Sequence, residues 1–392
     1  MASLKKNSIA TLFLFPLIFF SCKSNQSTEN VIKINSAQIQ TLYMSDYFES
    51  IEYIQLETND NCLIGINPVF YFTTEFIVTI TPRSKECLVF NRITGKFIRK
   101  IGNVGQGPQD YSEIPSGIIV NEQAKTISFG RGDRLVEYSL TDGTWAPVET
   151  KVPRLLSNKL AYVAKDLWAI GLTNPTGNNP NQILFFNRYE MIDSIPNHFF
   201  FKPKRNIFTS NPYECLFYCY DNSVYYKNLY NDTIFKIVNR KLQPEWVFEM
   251  KTSTHLLSQL REDPFELGNE MVKFQLLNNA LETDEFLLFD ISYQKQKNFY
   301  LFDKKQRQLK ELSNGKFIND LDGGLAFWPT NTNRNQDLIC VFQTFFMKDE
   351  INVTNIKEED VKNISDFRKL KTLVSHLNEE DNPIVVIAKL KK

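Results

Sequence analysis

Alternating apolar and polar residues, broken by short polar turns, run through most of the chain. One unit recurs: an apolar strand, an aromatic, a polar turn and a second strand. It appears as E-C-L-V-F-N-R-I-T-G-K-F-I-R-K-I from Glu86, D-R-L-V-E-Y-S-L-T-D-G-T-W from Asp133 and N-Q-I-L-F-F-N-R-Y-E-M-I from Asn181. It returns as N-D-T-I-F-K-I-V-N-R-K-L from Asn231 and K-N-F-Y-L-F-D-K-K-Q-R-Q-L from Lys297. Period-two alternation on both sides of a turn predicts a β-hairpin at each copy. T-G-K and T-D-G-T supply residues that tolerate positive φ at two of the turns.

Aligned positions are Phe90, Tyr138, Phe186, Ile237 and Phe302, separated by 48, 48, 51 and 65 residues. A four-stranded propeller blade needs about 40 to 50 residues. Further strands fall between the hairpins at 69–80, 125–130, 165–172 and 222–227, so each period holds one blade. Five copies plus a final strand at 382–390 predict an all-β, six-bladed β-propeller. Its ring must close. The strand E-S-I-E-Y-I-Q-L-E at 49–57 is expected to complete the blade formed by the C-terminal strands, because a bare edge is a liability. Two stretches depart from the β pattern. Apolar spacing over 254–280, interrupted near Pro264, and over 356–380 predicts short helical insertions. The first accounts for the longest gap.

The N-terminus carries a different signal. Lys5 and Lys6 precede an apolar run from Ile9 to Phe20, followed by Ser21 and Cys22. The run is short for a membrane span and suits a secretory signal. A small residue before a cysteine at that place resembles the bacterial lipoprotein cleavage site, with Cys22 as the lipidated residue. The expected organisation is a signal peptide at 1–21, a lipidated cysteine and flexible tether at 22–36, and the propeller at 37–392. K-S-N-Q-S-T-E-N after Cys22 is polar and cannot build a core.

Composition narrows the function classes. The chain has 45 basic and 45 acidic residues, which leaves no electrostatic footprint for nucleic acid. His198, His255 and His376 lie far apart and form no metal-ligand spacing. Cys62, Cys87, Cys215, Cys219 and Cys340 are odd in number, so they cannot all pair internally. Cys215 and Cys219 lie four steps apart, too far to bond along a strand. The cysteines are expected to be small core residues.

The stretch I-G-N-V-G-Q-G-P-Q-D-Y at 101–111 tests for a phosphate cradle. A dinucleotide loop needs glycines after a strand and at the start of a helix. Here Pro108 follows Gly107, and another strand follows instead of a helix. Gly102, Gly105, Gly107 and Pro108 therefore suggest tight turns at a blade-to-blade crossing, with Tyr111 packed over them. No cofactor or metal is expected. Asp110, Glu113, Asp133 and Asp166 show no pairing suited to glycosidase chemistry, and no G-x-S-x-G elbow occurs. R-G-D at 131–133 and L-D-G-G-L at 321–325 have turn composition. The aromatic stretch at 211–227 suits a packed blade strand or a platform at the propeller mouth.

F-I-R-K-I-G-N-V-G-Q-G-P-Q-D-Y resembles the GKFI…IG…GQGPGEY signature of six-bladed β-propeller lipoproteins of the Bacteroidota, relatives of NHL-repeat propellers. Y-N-D-T-I-F-K-I at 230–237 and E-E-D-N-P-I-V-V-I-A-K-L-K at 379–391 resemble two further strands of that family. Gln109 and Asp110 stand where the family has Gly-Glu, and Phe235 replaces a tyrosine. The resemblance implies no catalytic residues. The expected role is a lipid-anchored binding or scaffolding module with a protein, peptide or glycan partner in the envelope. The alternative is a glycan-directed enzyme with its site in the propeller funnel. The single Glu29 in the tether favours the periplasmic face of the outer membrane over the cell surface.

Overall fold

A computed structural model describes residues 30–391 apart from 82–84, 112–117, 132, 149–150, 153–158, 205–210, 212 and 352–355. The strands form six sheets of four or five strands each. Blade one is built from Val69–Phe72, Phe76–Thr81, Glu86–Asn91 and Phe97–Lys100. Blade two holds Ile119–Asn121, Thr126–Arg131, Arg134–Ser139 and Trp145–Val148, and blade three Lys159–Ala164, Leu167–Gly171, Asn181–Phe186 and Met191–Pro196. Blade four runs Cys215–Tyr220, Ser223–Asn228, Thr233–Val238 and Lys241–Glu249. Blade five runs Leu276–Glu282, Phe286–Tyr293, Gln296–Asp303 and Gln308–Leu312. In each blade the first strand is innermost, and first strands contact one another between blades two and three, three and four, four and five, and six and one.

Blade six joins the two ends of the chain. Asn331–Thr332, Leu338–Phe342 and Ile384–Leu390 are completed by Phe48–Gln55, whose register runs from Gln55 opposite Ile384 to Phe48 opposite Leu390. The expected ring closure is thus present, with the N-terminal strand outermost. The chain before that strand also joins the sheets. Val31–Lys33 adds a fifth, parallel strand to blade four, and Gln38–Gln40 does the same on blade five. Ile32 and Ile34 are buried there. Residues 31–36 therefore belong to the propeller, and the expected tether is shorter at its C-terminal end.

Six apolar clusters hold the ring, each between two blades. Val78, Val89, Phe129 and Tyr138 join blades one and two. Leu135, Trp168 and Phe186 join two and three. Ile183, Phe185 and Tyr226 join three and four, and Tyr218, Trp246, Phe289 and Phe302 join four and five. Phe286, Leu301, Cys340 and Val386 join five and six. Ile77, Phe90, Ile339 and Val385 close the ring between six and one. Burying one such side chain is worth about 1.5 to 3 kcal/mol. Alternation places successive residues of a strand on opposite sheet faces, so each blade feeds two of these clusters.

A basic residue after the third strand recurs and reaches back to the preceding blade. Arg188 Nη2 lies 2.6 Å from Glu137 of blade two. Arg240 Nε lies 2.9 Å from Asp193 of blade three. Lys304 Nζ sits 4.2 Å from the ring centroid of Tyr220 of blade four.

The antiparallel order sends first-to-second and third-to-fourth turns to one end of the blades, called here the turn end. Second-to-third turns and blade-to-blade crossings gather at the other, the crossing end. Two-residue turns with both φ positive close three hairpins, at Asp221-Asn222, Asn239-Arg240 and Gln294-Lys295. The first helical insertion, in the crossing from blade four to five, is His255–Gln259 and Pro264–Glu270. Its expected end at 280 is corrected, because Leu276 already begins a strand. The second, between the middle strands of blade six, contains Ile364–His376. It also has a helix the sequence pattern missed, Thr344–Glu350. Among the described residues no helix is long and apolar enough to cross a membrane.

Candidate binding face and central channel

The aromatic stretch at 211–227 forms the innermost hairpin of blade four, paired from Cys215 opposite Asn228 to Tyr220 opposite Ser223. Most of its bulk is buried between blades: Tyr218 stacks on Tyr225 at 4.9 Å, and Phe217 packs on Tyr226 at 5.3 Å. Cys215 is buried but Cys219 is exposed. The expectation of a core cysteine fails at Cys219 because its strand is innermost, where a side chain turned off the sheet meets the channel. Desolvation by the surrounding wall pushes its thiol up to about 11, and Arg334 pulls the other way.

Arg334 belongs to a brace at the turn end. Its Nε lies 3.0 Å from Glu122 Oε2, reaching from the first turn of blade six to that of blade two. Glu122 Oε1 also accepts from Thr74 N of blade one at 2.7 Å. On the other side Gln336 Oε1 accepts from Asp284 N of blade five at 2.7 Å. One turn of blade six thus ties blades five, one and two around that mouth.

The crossing end is built differently. Asp263 starts the helix Pro264–Glu270, its side chain accepting from Phe265 N at 3.0 Å with Pro264 in the first turn. Just before it, Arg261 is fully buried between two rings, 4.4 Å from the centroids of Phe201 and Tyr230. Its Nη2 donates to Asn174 O at 2.5 Å and to Glu214 Oε1 at 3.2 Å. Burial pushes the Glu214 carboxyl up, and the Arg261 charge opposes that. Arg261 Nε and Nη1 have no hydrogen-bond partner among the described residues. Three crossing-end segments therefore converge on one cation, which fixes the first insertion on the ring.

In the second insertion, Asn363 Oδ1 accepts from Asp366 N at 3.1 Å and starts the helix Ile364–His376. A shallow groove of about 740 Å³ runs along that helix, lined by Ile364, Arg368, Lys369 and Leu373 among others. Large apolar side chains stand in water across this end. Phe265 is 61 % exposed and Phe345 51 %, and Phe200, Tyr213, Leu256 and Ile364 are exposed with them. Fewer occur on the opposite turns, where Ile93 and Tyr189 stand out. The helices at Pro264–Glu270 and Ile364–His376 were legible in the sequence, but not the helix Thr344–Glu350 that carries Phe345, nor which apolar residues are left uncovered.

The glycine stretch lies in the crossing from blade one to two. Gly102 has φ of +56°. Gly107 N donates to Asp110 Oδ2 at 2.8 Å, and Tyr111 is buried with its hydroxyl donating to Lys85 O at 2.9 Å. Tyr138 donates from its hydroxyl to Gln109 O, so the turn is pinned from both sides. Gly105 and Pro108 sit within it. No helix follows among the described residues.

Cys22, Glu113 and Gly132 of the R-G-D stretch lie outside the described residues. Asp110 is committed to the glycine turn, Asp133 sits near Lys151 at 4.0 Å, and Asp166 occupies a turn with φ of +55°. Among the described residues no group of three His, Cys, Asp or Glu is arranged to hold a metal. L-D-G-G-L is a turn in which Asp322 Oδ1 accepts from Asn319 Nδ2 at 2.8 Å and Gly324 N at 2.9 Å.

No curated protein matches the chain. Among solved structures it is similar to a crystal structure from Bacteroides fragilis whose protein is described as exported. That match has 17% identity and a TM-score of 0.67, covering 92% of this chain and 99% of the other. At 17% identity the likeness speaks for the six-bladed fold alone. A partial likeness, with a TM-score of 0.38 and 13% identity, links it to the extracellular domain of a one-component system from B. thetaiotaomicron, covering 71% of this chain and 32% of that one. Residues 29–389 match the family described as a domain of unknown function, DUF4934, and the chain belongs to that family.

Proposed function

We propose that this chain is a lipid-anchored envelope module that binds a protein, peptide or glycan at the crossing end of its propeller, without covalent chemistry. The carrying observation is the set of large apolar side chains left in water on the connections of that end, among them Phe200, Tyr213, Phe265 and Phe345. Large apolar side chains exposed together on one end of a fold are a feature of interaction sites. The turn end, by contrast, is braced by Arg334 and Glu122. The anchor reading rests on Ser21-Cys22 after the apolar run and on the resemblance to lipoprotein propellers of NHL-repeat type. The exported neighbour supports an envelope setting. K-S-N-Q-S-T-E-N after Cys22 holds a single acidic residue, Glu29, rather than an acidic run, which favours the periplasmic face of the outer membrane.

The test is a crosslinked pull-down of the tagged protein from its native envelope, read by mass spectrometry. Cys22→Ala removes the anchor, and Phe265→Ser with Phe345→Ser removes apolar surface. A stoichiometric partner retained by the wild type and lost in the double variant is expected. A partner held equally by the double variant would move the site elsewhere. Turnover of a captured glycan would replace this reading with the enzymatic one.

A further inference from the structure

Two turns are set apart by charge. Residues 239–241 and 303–310 hold six lysines and arginines against one aspartate, in a chain whose 45 basic and 45 acidic residues cancel. They are the third-to-fourth turns of blades four and five, neighbours at the turn end. Arg307 reaches across to blade four: its guanidinium carbon lies 5.9 Å from the ring centroid of Trp246, on the fourth strand of that blade. Some of this charge is spent locally. Arg240 is paired with Asp193 at 2.9 Å, and Lys304 is turned inward onto Glu282 at 2.7 Å. Glu245, half-buried on the same strand, faces Lys236 and Lys304. Lys241, Lys305 and Arg307 remain exposed, and form no ion pair among the described residues.

The direction of chain entry adds an independent constraint. Val31–Lys33 pairs in parallel with Val247–Glu249, so it runs the same way as the strand that begins at Lys241. Val31 is thus the end of that first strand nearer to Lys241. From position 22 to position 31 the reach is at most about 30 Å.

We propose that the ridge formed by Lys241, Lys305 and Arg307 docks on an anionic bilayer surface. The lipid-anchor reading supplies its nearness to the bilayer, and the ridge supplies the charge. Basic residues beside an anionic leaflet are attracted within a Debye length, and a lipid anchor is strengthened by such a second signal. The docked propeller presents its turn end to lipid and its crossing end, with the apolar connections, away from it.

The test mixes protein extracted from its own membranes with vesicles of phosphatidylcholine, with or without phosphatidylglycerol, and reads hydrogen exchange. Exchange in 239–241 and 303–310 is expected to slow several-fold on the anionic vesicles alone and to recover in high salt. Lys241→Glu with Lys305→Glu should abolish that slowing, while Lys96→Glu, on the equivalent turn of blade one, should leave it intact. Equal exchange on both vesicle types, or slowing that survives in the double variant, would overturn the proposal. The mass of the N-terminal peptide separately reports acylation of Cys22. Acylation without phosphatidylglycerol-dependent slowing removes the ridge and keeps the anchor; slowing without acylation does the reverse.

Discussion

Replacing Gly102 by alanine tests whether the glycine stretch is a packed turn. Gly102 has φ of +56°, and a Cβ there would lie 2.8 Å from Tyr138 Cζ and 2.9 Å from Tyr111 Cε1. Both tyrosines are buried, so neither ring can swing into solvent. Gly143 is the comparison. Its φ is +80°, but a Cβ there would find its nearest neighbour, Arg99 Cδ, at 3.8 Å. Both alanines meet the left-handed backbone cost of about 1 to 2 kcal/mol. Only Gly102→Ala adds overpacking against two rings, about 1 to 3 kcal/mol more. The expected losses are therefore about 1 to 2 kcal/mol for Gly143→Ala and about 2 to 5 kcal/mol for Gly102→Ala. Urea unfolding followed by tryptophan fluorescence would measure both midpoints. Equal destabilisation by the two variants would refute the packing argument.

Other expectations follow from features of the ring. Lys304→Met should cost about 3 to 5 kcal/mol, because it leaves the buried Glu282 carboxylate without its cation at 2.7 Å; Glu282→Gln in the same chain should restore part of that, and additive losses in a double-mutant cycle would contradict the pairing. Ile32→Ala should cost about 2 to 5 kcal/mol and speed exchange along Lys241–Glu249; unchanged exchange there would mean the first strand does not protect blade four. In the native state Cys219 alone among Cys62, Cys87, Cys215, Cys219 and Cys340 should react with a maleimide. Because its thiol is pushed up to about 11, the thiolate fraction and the rate should keep rising well above pH 9, and Arg334→Ala should slow it further at fixed pH. A plateau near pH 9 would contradict that environment.

The parts legible in the sequence are those fixed by short-range alternation. Phe90, Tyr138, Phe186, Ile237 and Phe302 all fall in the third strands of their blades, because each sits beside a turn whose residues signal themselves. Pairing of the 49–57 region with the C-terminus followed from the need to protect an edge. What was hidden depends on partners far away in sequence. Val31–Lys33 and Gln38–Gln40 are three residues long, too short for alternation to register, and exist because blades four and five offer an open edge. The region 69–80 is two strands rather than one, since Thr73 Oγ1 accepts from Phe76 N at 2.9 Å and turns the chain at the short polar break Thr73-Thr74-Glu75. Cys219 shows a further limit. Alternation gives the side of a strand but not whether that side ends in a core or in a channel. Arg261 carried no local signal, because its burial comes from Asn174 and Glu214 on two other connections.

Blade six has a consequence for how the protein reaches its folded state. Phe48 pairs with Leu390, so the ring cannot shut until nearly the whole chain is present. The strands on blades four and five must likewise wait for partners made more than two hundred residues later. The first segment synthesised is thus among the last to be placed, and contact order is high. An unclosed chain exposes strand edges that invite aggregation. Under the export proposed above, that delay is useful: a segment that emerges early has nothing to fold onto until the rest has followed.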